Sequence, residues 1–289
     1  MVLLWGVLRV VDRLHIHSRL HHMLVKALVF NALVASTCLA EDAPTICFRE
    51  DAAPFSFIDA QDNPAGYSVG ICRKVAETFG TSTPDIRAVT VEDRFERLQS
   101  GDCDLLCEAT TVTMQRRAEM EFSLITFLTG SVLLYPKDLL EVDKTADRVV
   151  SVGVLSETTS FDKLMSGELK GGAGVDFAFE VQVSHDDAEM KLLDGTLNAY
   201  IADREIVERF LETNKGLAAT HKISSRPLSY EPYAIAMRMG DDTLRVKVDE
   251  VIAEMYRTDE ILELLDVYLP GRSDDRLLRD LFELQSLPE

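Results

Sequence analysis

The apolar positions of this chain fall into short runs that alternate between two periods. Residues 45–49 are continuous in β-formers and break at the polar loop 50–54. After a turn at 62–66, residues 67–79 carry apolar side chains at helical spacing and stop at Gly80. Residues 86–91 read as a strand, 92–99 as a helix closed by Ser100-Gly101-Asp102, and 103–109 as a buried strand. A second series follows. Residues 149–155 read as a strand that runs into hydroxyl-rich 156–160, where N-caps belong. Residues 175–181 read as a strand, 187–195 as a helix ending at Gly195, 197–203 as a strand stopping at Asp203, and 233–238 as a strand before an amphipathic helix over 246–256. Strands separated by helices imply parallel sheets with crossover connections, hence an α/β fold. In such sheets ligands bind beyond the carboxyl ends of the strands. That rule selects Arg49, the stretch from Thr111 to Arg116, Thr158, Thr159 and Asp203.

The first forty residues follow different rules. From Met23 the chain has one Lys, an apolar run of about a dozen residues, then small residues at Cys38 and Ala40. This is the form of a secretory signal peptide cut after Ala40, and the run is short for a membrane-spanning helix, which needs ~20 residues. Residues 1–22 fit neither a leader nor a domain, so Met23 is the expected start of translation. An uncleaved amphipathic anchor is the alternative for this segment.

Composition narrows the chemistry. A formal net charge of −19 disfavours nucleic acid and anionic membrane as partners. Beyond residue 40 only His185 and His221 remain, too few for a structural zinc site of the usual kind, and no metal or cofactor is expected. Cys47, Cys72, Cys103 and Cys107 remain as well. Four cysteines in an exported chain read as two disulfides, with three possible connectivities. Cys72 with Cys107 is the favoured pair, since one lies in the first turns of a packing helix and the other near the site end of a strand. Arginines gathered in a pocket of so acidic a chain call for a specific reason. Guanidinium groups and helix N-termini suit a carboxylate, and a carboxylate with hydroxyls suits an ammonium. Together they match a zwitterionic amino acid.

The segments 53–57, 66–72, 98–116, 121–123, 153–159 and 198–203 resemble, in order and spacing, the polar amino-acid-binding proteins of bacterial ABC importers, family 3 of the solute-binding proteins. The resemblance covers nearly all of the chain after the leader. It implies a periplasmic-binding-protein fold with two lobes, each a sheet with flanking helices, joined by a two-strand hinge. The first lobe would comprise 41–137 and 230–289, the latter with C-terminal helices, and the second 138–229. It implies that Arg116 clamps the ligand α-carboxylate, that Thr111 places a hydroxyl on the ligand, that Thr159 at a helix start donates to the carboxylate with Thr158 beside it, and that the Ala109 carbonyl faces the ammonium. Asp203 would pair with that ammonium. Arg49, Arg94 and His185 match positions that hold an acidic side chain in the glutamate/aspartate branch. Glutamate or aspartate is therefore the expected ligand, with glutamine the close competitor, because Arg49 and Arg94 look unmatched and burying unpaired cations is costly.

Three positions depart from the family pattern. Ala109 replaces a Ser, Glu157 replaces the Gly of Gly-Thr-Thr, and Asn198 replaces an Asp expected on the sheet rather than in the pocket. Glu157 sets a negative charge near an anion site. The resemblance also implies a membrane permease as partner, a monomer, a periplasmic location and no catalysis. The rivals are a dehydratase-like enzyme acting on prephenate or arogenate, and a sensory module presenting its ligand to a receptor.

Overall fold

The computed structural model describes residues 43–140, 148–170 and 175–288. The expected leader and its cleavage point lie outside the described residues. Two five-stranded sheets organise the fold. The first has the order Ile86–Val89, Ile46–Arg49, Leu105–Leu106, Ala236–Arg238, Met120–Phe122, with the first three strands parallel and the last two running the other way in turn. The second has the order Val175–Gln182, Arg148–Leu155, Ala199–Asp203, Ser131–Pro136, His221–Ile223, again with three parallel strands followed by antiparallel ones. The chain passes between the sheets twice, through Phe127–Thr129 and Glu231–Tyr233, which pair as a separate antiparallel ribbon. This is the expected two-lobed α/β architecture with a two-strand hinge.

One boundary moves. Ser131–Pro136 pairs with Ala199–Asp203 and His221–Ile223, so it stands in the second sheet, whereas a division after 137 would leave it with the first lobe. An apolar six-residue run does not itself say which sheet it joins. Strands such as Phe127–Thr129 and His221–Ile223 carry still less signal, being three residues long.

Ile46–Arg49 is buried at every position, as befits a parallel strand covered on both faces. Helix Tyr67–Glu77 turns Tyr67, Ile71, Cys72 and Val75 inward, and the Cys72–Cys107 disulfide fastens it beside the first sheet. Cys47–Cys103 ties strand Ile46–Arg49 to the loop that leads into Leu105–Leu106. The favoured cysteine pair thus forms, and the second follows from it. The hinge is held by an edge-to-face aromatic group of Phe55, Tyr67, Phe127 and Tyr233, with the Tyr67 hydroxyl donating to the Thr126 carbonyl at 2.7 Å. Helices Asp242–Arg257, Glu260–Tyr268 and Arg276–Gln285 complete the first lobe. Among the described residues no helix is long and apolar enough to cross a membrane.

Candidate functional site

The carboxyl ends of strands from both sheets open on one cleft. Arg49 closes Ile46–Arg49, and Ala109 and Thr111 follow Leu105–Leu106. Thr158 and Thr159 follow Arg148–Leu155, and Asp203 ends Ala199–Asp203. All nine candidate residues, Arg49, Arg94, Ala109, Thr111, Arg116, Thr158, Thr159, His185 and Asp203, line the same cavity. Sequence position alone scatters them over more than 150 residues; the topology brings them together.

The structure alters several of the expected roles. Arg49 is buried and donates to both carboxylate oxygens of Asp51, at 2.9 and 2.8 Å, so it is not an unmatched cation. Asp51 also accepts from the backbone N–H of His185 at 2.7 Å, tying the two lobes together. Burial alone would raise the Asp51 carboxyl, but Arg49 and His185 overcome it and hold it at about 2. Arg94 is buried too, with its Nε 2.9 Å from Glu108 Oε1 and its other donors on the carbonyls of Val91 and Glu157. Burial, only partly offset by Glu108, brings Arg94 down to about 10. His185 places Nδ1 2.8 Å from the Tyr200 hydroxyl, and burial reinforced by Arg49 drives it down to about 3. It is a neutral ring at any physiological pH and supplies no third cation.

Arg116 sits on a short 3₁₀ turn, Arg116–Ala118, and reaches the carbonyls of Thr111 at 3.0 Å and Glu157 at 3.3 Å. Arg94 and Arg116 both lie over the ring of Phe95, at 4.2 and 5.0 Å, which shares the load of gathering two cations. The Glu157 carbonyl therefore receives a guanidinium from each of two first-lobe elements. It is aimed by a left-handed backbone, φ 54°, which explains why a glycine would suit this position. The Glu157 side chain is exposed to solvent, and its charge still acts on the nearby Arg94.

The hydroxyls are also committed. Thr158 caps helix Thr159–Met165 by accepting from Phe161 N–H and donates to the Leu155 carbonyl. Thr111 and Thr159, from opposite lobes, both donate to Glu231 Oε2, at 2.7 and 2.9 Å, so the Thr159 hydroxyl proton expected on the ligand carboxylate is spent on Glu231 instead. Asp203 precedes helix Arg204–Thr213 but makes no capping bond; it accepts from the Tyr233 hydroxyl instead. Burial, with Glu231 nearby, pushes its carboxyl up to about 7. Asn198 bonds Ser151 across the second sheet, away from the cavity lining.

Three acids beside the cavity escape a reading of the sequence alone: Asp51, Glu108 and Glu231. Glu108 follows a strand and Glu231 opens a hinge strand, and both are 1% exposed. The available signal was a lone acid within an apolar stretch at a strand end, which is uncommon unless the charge has a partner. With them the cavity region holds three arginines and four carboxylates, Asp51, Glu108, Asp203 and Glu231. A site with buried guanidinium and carboxylate groups on two lobes is built for a small polar ligand bearing both charges.

Comparison with known proteins agrees with this geometry. The model of the bacterial extracellular solute-binding proteins, family 3, matches residues 45–271. The chain belongs to this family. The family member described as a glutamate/aspartate import solute-binding protein in Escherichia coli K12 is 26% identical over 245 residues, which span 82% of this chain and 79% of the relative. An L-glutamate/L-aspartate-binding protein of Pseudomonas aeruginosa is 26% identical over 233 residues, spanning 77% and 75%. In fold, the family 3 chain is similar to an ancestral arginine-binding protein bound to glutamine, with a TM-score of 0.67 at 20% identity, covering 80% of this chain and 100% of that one. Extracellular family membership and two buried disulfides fit a chain that works outside the reducing cytoplasm.

Proposed function

We propose that this solute-binding protein captures an amino acid in the periplasm, after export on a cleaved leader, and delivers it to the permease of an ABC importer. The observation that carries the reading is the meeting of Arg116 and Asp203, from opposite lobes, in one cavity. Arg116 keeps guanidinium donors beyond those on Thr111 and Glu157 and would take the α-carboxylate. Asp203, raised by burial, would become fully charged when an α-ammonium arrives. Thr111 and Thr159 give their protons to Glu231, so their lone pairs are free to accept from that ammonium.

Glutamate or aspartate is the proposed ligand. The glutamate/aspartate-binding relatives and the guanidinium groups of Arg49 and Arg94 support it. The unmatched-cation argument does not, because Asp51 and Glu108 offset both arginines. Lobe closure would leave the acid only a narrow lead over glutamine. Calorimetry with glutamate, aspartate, glutamine, asparagine, lysine and leucine tests this directly. Tightest binding of lysine or of an apolar amino acid would overturn the acidic-ligand assignment. N-terminal sequencing of exported protein should find Glu41 first; intact residues 1–22 would point to an anchor instead.

Asp203 at about 7 also lines the cavity in a form suited to general-acid work, which is the observation that favours a dehydratase reading. Formation of an aromatic product from prephenate would establish it.

A further inference from the structure

Glu108 stands where no ligand contact was expected, and its surroundings fix it there. Its carbonyl accepts from the Ser68 hydroxyl at 2.9 Å, its neighbour Cys107 is in a disulfide, and Thr110 donates to Oε1 at 2.8 Å. The carboxylate lies between two arginines of the cavity, with Oε1 2.9 Å from Arg94 Nε and Oε2 3.6 Å from Arg49 Nε. Neither approach is an aligned hydrogen bond at Arg94 Nε or Glu108 Oε2, so both are ion pairs held by charge and burial.

We propose that Glu108 is the residue that sets discrimination between acidic and amide side chains, by competing with the ligand for Arg94 and Arg49. This rests on the reading of the cavity as an amino-acid site. Arg49 and Arg94 face Asp51 and Glu108, two cations against two anions, and the neutral His185 adds nothing. A ligand carboxylate entering this group finds no uncompensated cation and is repelled by Glu108. An amide of the same shape meets donors and acceptors with no such repulsion. Glu108 thus narrows the preference for acids that Arg49 and Arg94 alone would create. Being buried and tied at its backbone on both sides, it cannot swing away when a ligand enters.

The test compares the full-length exported protein with Glu108→Gln, which keeps the side-chain volume and an acceptor for Thr110. Dissociation constants are measured by calorimetry for glutamate against glutamine and for aspartate against asparagine. The amide-to-acid ratio of dissociation constants should rise about tenfold in the variant, ~1.4 kcal/mol, the difference between a charged and a neutral hydrogen bond. A purely structural role would weaken acid and amide alike and leave the ratio unchanged within about threefold, which would overturn the proposal. If thermal melts show that Glu108→Gln does not fold, Glu108→Asp decides. It keeps the charge and draws the carboxylate one methylene back from Arg94, so the ratio should move in the same direction by about threefold, and a ratio equal to wild type would overturn it. Wild-type protein that binds none of the four amino acids would remove the site reading itself, and this inference with it.

Discussion

Replacing Asp203 with Asn should stabilise the ligand-free protein at pH 8 while destroying its affinity for amino acids. Asp203 is raised from 3.8 to about 7, first by burial and then by Glu231. The folded state therefore binds more protons than the unfolded one between about pH 4 and 7. Stability from this group is fully present below pH 4 and is lost as pH rises through 7. A shift of about three units corresponds to a ceiling of ~4 kcal/mol. His185 acts in the opposite sense. Lowered from 6.5 to about 3, it contributes stability above pH 6.5 that is lost as pH falls towards 3. The two slopes oppose each other across the acidic range, so the wild-type profile alone decides nothing. The difference between wild type and Asp203→Asn isolates Asp203, since the amide can still accept from Tyr233. At ~2–4 °C per kcal/mol for a chain of this size, the variant should melt higher at pH 8 by up to ~8–16 °C, with the gap narrowing below pH 7 and closing by about pH 4. The same group predicts proton release on binding near pH 7, read as a dependence of calorimetric heat on the buffer's ionisation enthalpy. Asp203→Asn melting equally below wild type at both pH values, together with no proton release, would refute the reasoning.

Three shorter predictions follow from the same geometry. Arg116→Ala should cost about 2–5 kcal/mol of binding, because truncating one partner of a desolvated charge pair strands the other; calorimetry showing a loss under tenfold would mean that Arg116 is not the clamp. Glu157→Gly should raise stability by up to ~1.5 kcal/mol. It relieves ~1–2 kcal/mol of left-handed strain, less the ~0.4–1 kcal/mol returned by a freer unfolded chain; a lower melting temperature would show that the exposed side chain matters. Denatured, unreduced protein should titrate no free thiol among Cys47, Cys72, Cys103 and Cys107, and Cys47→Ser with Cys103→Ser should cost about 2–4 kcal/mol in chemical denaturation.

The sequence by itself determined the alternation of elements, the parallel strands at the heart of each sheet, the hinge-joined architecture through family resemblance, and which side chains gather at the strand ends. These are local matters. Period, capping hydroxyls and turn residues act within a few positions, and a strand's carboxyl end is visible where its apolar run stops. Arg49, Asp203 and the segment running to Arg116 were legible because they follow strand ends, and Arg94 through the family resemblance. Only the tertiary structure decided what each of them faces. Glu108 is 14 residues from Arg94 in the chain yet ion-paired with it, and Glu231 accepts from Thr111 across 120 residues. The three-residue strands, the place of Ser131–Pro136 in the second sheet and the exposure of Glu157 were hidden for the same reason. Charge balance in a buried site is a sum over neighbours in space, and a sequence orders neighbours only along the chain.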